Sequence, residues 1–179
     1  MKTKKETPMS PLKELLVESL QDLLHAETQL VAALPKMVKA AHNPKLKEGF
    51  EKHLLQTQTH VERLKKALQL LGADAKPKPC KAMMGLVEEG QETIDEGKDK
   101  DEMVADLALI NAAQKVEHYE IAGYGSARSL ARDLGEREVA TLLSHTLGEE
   151  ESADHLLTVW AQPLVQQLLT ADLEKQPAI

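Results

Sequence analysis

Glu117 and Glu120 stand three residues apart inside the apolar stripe of a long helical run, in which Leu107, Ile110, Ala113, Ile121, Tyr124, Ala127, Leu130 and Ala131 recur at helical spacing. A carboxylate taken out of water alone costs several kcal/mol, so a side chain so placed must be protonated, paired with a cation or coordinated to a metal. Glu27 sits likewise between Leu23 and Leu30 in the stripe of the first helix, and Glu150 and Asp154, four apart, share that of the last. His60 lies beside the stripe of the second helix, with Gln56 one turn earlier and His53 or Leu54 in the stripe itself. Singly, each carboxylate reads as an edge residue reaching to water and His60 as a hydrogen-bonded core histidine. Together, five core-side carboxylates on three helices and an imidazole on a fourth are the inventory from which helix bundles build dinuclear carboxylate sites. Oxygen-rich ligands with one or two imidazoles suit iron or manganese. Tyr124, one turn after Glu120, either donates to a ligand carboxylate or simply packs with its hydroxyl satisfied. His25, His42, His118, His145 and His155 fall on flanks or ends, and Glu149 and Glu151 point off the stripe toward solvent.

The elements that must position these groups are all helical. Ser10-Pro11 supplies an N-cap with proline at the first helical position. Leu12, Leu16, Leu20, Leu23, Leu30, Leu34 and Val38 follow as a stripe, and Pro35 should loosen the last turns before His42-Asn43-Pro44. A second helix spans about 44–71 and is stopped by Gly72. Residues 72–100 carry no long helix, only a Pro/Lys loop and a short amphipathic piece through Met83, Met84, Leu86, Val87 and Ile94. So long a connection is unusual in a small bundle and fits a crossover that starts the next helix at the same end as the second. That helix spans about 101–134, ends at Gly135, and contains Gly123 and Gly125, which would allow close helix contact. The last has Val139, Leu143, Leu147, Leu157, Ala161 and Leu164 as its stripe, and Pro163 should end or bend it. The expected organisation is an all-α four-helix bundle over 10–165, a disordered segment 1–9, and a tail 166–179 whose leucines could serve a partner subunit. Glu27 to His60 and Glu117 to Glu150 are each 33 residues apart, as two similar hairpins would give.

Composition narrows the function classes. With 42% hydrophobic residues, 179 residues suffice for one core. A net charge of -7 and only 2% aromatic residues argue against nucleic acid as a partner. No apolar run approaches the ~20 residues of a spanning helix, and no signal-peptide pattern follows the basic start, so no membrane partner and a cytoplasmic location are expected. Cys80 has no second cysteine to pair with and lies in the Pro-rich loop Lys76-Pro77-Lys78-Pro79-Cys80, where a surface thiol would be reactive; the expectation is that it is partly buried.

The runs Cys80-Lys81-Ala82-Met83, Gly85-Leu86-Val87-Glu88-Glu89, Ala112-Ala113-Gln114-Lys115-Val116-Glu117-His118-Tyr119-Glu120-Ile121-Ala122 and Tyr124-Gly125, with His25-Ala26-Glu27 and the segment from Glu149-Glu150 to Asp154, closely resemble the bacterial YciF-like stress proteins. The similarity covers about 11–157. It implies a ferritin-like, rubrerythrin-related bundle with a di-iron-type site, a homodimer, and a link to stress responses. By motif, Glu27, Glu117, Glu120 and Glu150 would be ligands, and Asp154 would stand where rubrerythrin-like proteins place a histidine. The second helix departs from the ferritin-like pattern of Glu three residues before His: Thr57 holds that position and Gln56 the one before. Whether Gln56 or His53 joins the site is left open, as is a mononuclear or mixed site. The expected cofactor is iron, two ions per chain, with manganese as the alternative, and the expected chemistry is oxidation of metal by dioxygen or removal of peroxide. The contrasting expectation is a non-catalytic dimeric stress protein with a structural metal or none.

Overall fold

Each helix begins and ends on identifiable chemistry. The structure, a computed structural model, describes residues 9–175 as five helices without a strand: α1 (Pro11–Ala40), α2 (Pro44–Leu70), α3 (Lys81–Gly97), α4 (Glu102–Asp133) and α5 (Arg137–Lys175). Ser10 accepts from the Lys13 amide, Asn43 from those of Lys45 and Leu46, and Asp101 from that of Met103, satisfying amides that a helix start leaves open. Gly72 and Gly135 have φ of 72° and 77°, the left-handed conformation that lets the chain turn out of α2 and α4.

Short turns make two antiparallel hairpins, α1–α2 and α4–α5, and α3 lies across α1 and α4 in the crossover between them. One buried side chain fixes how the hairpins meet. The Asp106 carboxylate near the start of α4 accepts from the amides of His42 (2.9 Å) and Asn43 (2.7 Å) in the α1–α2 turn. Thus α2 and α4 start at the same end, as the long connection implied. At the other end Lys13 pairs with Glu136 (2.9 Å), joining the start of α1 to the α4–α5 turn.

The core is two apolar blocks. Leu16, Leu20, Leu64, Leu68, Ala131 and Leu143 belong to one, and Leu34, Met37, Phe50, Ile110, Leu157 and Leu164 to the other. On every long helix the site residues fall between the blocks, so a polar layer crosses the bundle near its middle.

One expectation is corrected. Pro163 does not end α5: the helix runs through it to Lys175. Proline forfeits one backbone bond, but Leu157 before it and Leu164 after it both anchor in the core. Pro35 similarly stays inside α1, between buried Leu34 and Met37. Cys80 is on the buried side of its two readings: it caps α3 and has the Tyr119 hydroxyl 2.8 Å from its sulfur. The disorder expected for 1–9 falls almost wholly outside the described residues, as do 176–179.

Candidate metal centre

Residues three or seven apart share a helix face, and this spacing turns the polar layer inward. Glu117 and Glu120 project from α4, His53 and His60 from α2, Glu27 from α1 and Glu150 from α5; all six are buried. His60 Nδ1 lies 2.9 Å from Glu150 Oε1 and 3.3 Å from Glu27 Oε1. His53 Nε2 lies 3.4 Å from Glu117 Oε1 and 3.7 Å from Glu150 Oε2. Donor atoms fall into two groups, each within 4.8 Å: His53, Glu117, Glu120 and Glu150 in one, and Glu27, His60 and Glu150 in the other. Glu150 belongs to both.

Buried polar groups are ordinarily hydrogen-bonded. Here, among the described residues, eight buried side-chain atoms have no well-directed hydrogen bond: Glu27 Oε2, His53 Nδ1, His60 Nδ1, Glu117 Oε2, and both carboxylate oxygens of Glu120 and of Glu150, the His60 and Glu150 atoms facing each other only as an ion pair. All lie in this cluster. Four carboxylates and two imidazoles could carry four negative charges, the charge that two divalent cations offset, and among the described residues no lysine or arginine reaches these four carboxylates in an ion pair. The residues present therefore fit two neighbouring cations.

Without cations the cluster holds protons. Burial, and then the neighbouring carboxylates, raise Glu117 and Glu120 well above the usual carboxylate range. Burial also raises Glu27, opposed by His60. Burial lowers His53. It pulls on His60 in the same sense, but the adjacent Glu150 and Glu27 carboxylates outweigh it and hold that ring at about 10. The Tyr124 hydroxyl, raised by burial and by the carboxylates it faces, stays protonated and donates to Glu27 Oε1 (2.5 Å).

Of the sequence candidates, Glu27, His60, Glu117, Glu120 and Glu150 are brought together. Asp154 is not. Four residues past Glu150 it has rotated by about 40° on the helix, and its Oδ1 accepts from Gln114 (2.9 Å) and lies 3.4 Å from His118 Nε2. His53 joins instead, two turns before His60 on the same face, while Gln56 stays beside it on a cleft wall. Thr57 turns its hydroxyl to the His53 carbonyl (3.0 Å). Glu149, expected in solvent, bonds to His60 Nε2 (2.8 Å) and pairs with Arg63. Its outer hold leaves Nδ1 as the inward donor of His60, the arrangement that orients metal-binding histidines. Only the closeness of Glu149 to Glu150 and of Arg63 to His60 in the sequence hinted at this.

Two openings reach the centre. A cleft of about 420 Å³ between α2 and α5 is lined by His53, Gln56, Glu117, Glu149, Ser152 and Trp160, and a narrower pocket under α3 touches His53 and Glu117 from an apolar side.

Comparison with known proteins places this geometry. A family described as a domain of unknown function, DUF892, matches residues 11–170. The chain belongs to this family. It is 44% identical to protein YciF of Escherichia coli strain K12 over 151 residues, 84% of this chain and 90% of that protein. The crystal structure of the E. coli stress protein YciF matches with a TM-score of 0.83 at 41% identity, over 88% of this chain and 99% of that one. YcfI from Rhodopseudomonas palustris, whose description proposes a structural role, matches at 0.78 and 36%, over 88% and 98%. For fold alone, at 18% identity, ferritin-like diiron-carboxylate proteins of Bacillus anthracis str. Ames match at 0.65, over 86% and 99%. The DUF892 chain is thus an all-α ferritin-like bundle of the YciF-like group. Among its described residues no helix is long and apolar enough to cross a membrane.

Proposed function

We propose that this DUF892 chain binds two iron ions, with manganese as the alternative, and oxidises metal with dioxygen or removes peroxide. The observation that carries the reading is the convergence of eight buried donor atoms without a well-directed hydrogen bond on two adjoining groups that share Glu150. Glu27 and His60 would hold one ion, His53, Glu117 and Glu120 the other, and Glu150 would serve both. Bound iron supplies one-electron chemistry toward dioxygen or peroxide. The chain's own residues do the rest: Glu149 fixes the His60 ring, Tyr124 holds Glu27 and keeps its proton, and the polar cleft admits a hydrated ion. The stress link belongs to the E. coli relative and enters here as part of the proposal. So does the homodimer: Val165, Leu169 and Leu173 recur every four residues along the end of α5 and remain exposed.

Elemental analysis of protein purified without added metal or chelator, followed by anaerobic ferrous titration, tests the reading. About two ions per chain, lost in Glu117→Ala, with peroxide or dioxygen consumption lost alongside, is the expected result. The structural role proposed for YcfI favours a second reading, a bundle with a structural ion or none. No uptake, or uptake with equal turnover in wild type and variant, would establish it instead.

A further inference from the structure

Two openings end on the same side chains, His53 and Glu117, and their chemistry differs. The α2–α5 cleft is wide and has mixed walls, in which Glu48, Lys52, Gln56, Glu149 and Ser152 stand beside Phe50, Leu157 and Trp160 and offer an ion or peroxide more polar partners than the other opening does. The other is a narrower pocket of about 60 Å³ lined by α1, α2, α3 and α4, with Leu34, Met37, Val87, Ile94, Ala113 and Val116 in its wall. At its rim Lys36 donates to Gln91 (3.0 Å) and ties α1 to α3. At its inner end the polar groups are His53 and Glu117. This space could hold a few small molecules, since about 10–15 Å³ on such a measure accommodates a water, but a water needs two to four polar partners, and apolar cavities instead stay dry and take up apolar solutes. Hydrogen peroxide, a donor and acceptor at both ends, would find partners only at His53 and Glu117 and none along the apolar wall, whereas dioxygen needs none.

We propose that the pocket under α3 is a binding site for a small apolar gas, dioxygen, held beside His53 and Glu117, while ions and peroxide enter by the polar cleft. The long connection then has a purpose, because α3 packs on α1 and α4 and closes what would otherwise be an open groove. The dioxygen role rests on the redox reading above; occupancy by an apolar gas does not.

Xenon, an apolar probe that needs no metal, separates the two. Crystals of metal-free wild type under xenon pressure should show xenon among Val87, Ala113 and Val116. Gly90→Leu, on α3 where an added Cβ meets nothing within 4 Å, and Ala113→Leu, from α4, should each exclude it. In iron-loaded protein both variants should slow dioxygen-driven iron oxidation by about tenfold, a barrier raised by about 1.4 kcal/mol, and leave the peroxide-driven rate unchanged. No xenon in the wild-type pocket overturns the proposal whatever the metal does. Xenon bound and then excluded, with no selective loss of the dioxygen reaction, also overturns it. A wild type that oxidises iron with neither oxidant removes the redox reading and the dioxygen role with it, and xenon occupancy then shows that the gas site itself is not what failed.

Discussion

Glu120 has both carboxylate oxygens buried and unpartnered, a cost to the metal-free protein that a cation bound as proposed would relieve. Replacing buried charge by an apolar side chain of similar volume typically stabilises by about 1–4 kcal/mol. Glu120→Leu should accordingly raise the melting temperature of the metal-free protein and lower the number of ions bound per chain. A variant less stable than wild type without metal would mean the carboxylate has a partner that this geometry does not give it. Glu149→Gln probes the opposite case, a residue outside the donor set that orients it. Losing its hold on His60 should weaken iron affinity by roughly 10- to 100-fold, measured by competition with a chelator. Stability should change by no more than about 1 kcal/mol, because the Arg63–Glu149 pair is partly solvated. Five of the six side chains that cluster here were legible because a carboxylate or imidazole in or beside an apolar stripe contradicts its surroundings. His53 was ambiguous beside Leu54, and Glu149 was misplaced, because stripe membership says nothing of what a helix edge meets across the bundle.

Helix boundaries were legible to within a residue or two where they rest on local chemistry: Ser10-Pro11, Asn43-Pro44, Gly72 and Gly135 each act on their own backbone. The run of α5 to Lys175 was not, since packing on both sides of Pro163 overrides a local stop signal. Close approach between helices is also a tertiary fact. Gly123 and Gly125 look equivalent in the sequence, yet a Cβ at Gly123 would stand 2.8 Å from Leu23 Cδ2, while one at Gly125 meets nothing within 4 Å. Leu23 is 2% exposed and has no room to retreat. Gly123→Ala should therefore destabilise by about 1–3 kcal/mol through overpacking of α4 on α1. Gly125→Ala should stabilise by roughly 0.5–1 kcal/mol through helix propensity. Urea unfolding of the pair checks both signs at once, and equal effects would refute the close contact.

Across the whole molecule the polar layer divides one core into two, and its protonation couples the site to folding. In the metal-free protein Glu27, Glu117 and Glu120 titrate above their ordinary 4.5, because burial first and neighbouring carboxylates second disfavour the charged form. Unfolding releases them to ionise normally, so above about 4.5 the unfolded chain binds fewer protons and stability falls as pH rises. His60 acts in the same direction: raised from 6.5 to about 10, it contributes stability that is full below 6.5 and lost as pH climbs through 10. His53 opposes them only below its ordinary 6.5, where unfolding lets its ring take up a proton that burial denies it. From about pH 7 to pH 9.5 the fall is thus unopposed by His53, and the melting temperature of chelated protein should decline steadily over that range. On acidification below 7 the rise should be shallower. Cations bind the same atoms in place of protons and release them, so loading with manganese under anaerobic conditions should flatten the slope. A chelated protein whose melting temperature stays level or rises between pH 7 and 9.5 would mean the carboxylates are already ionised and paired, and the case for two cations would lose its electrostatic footing.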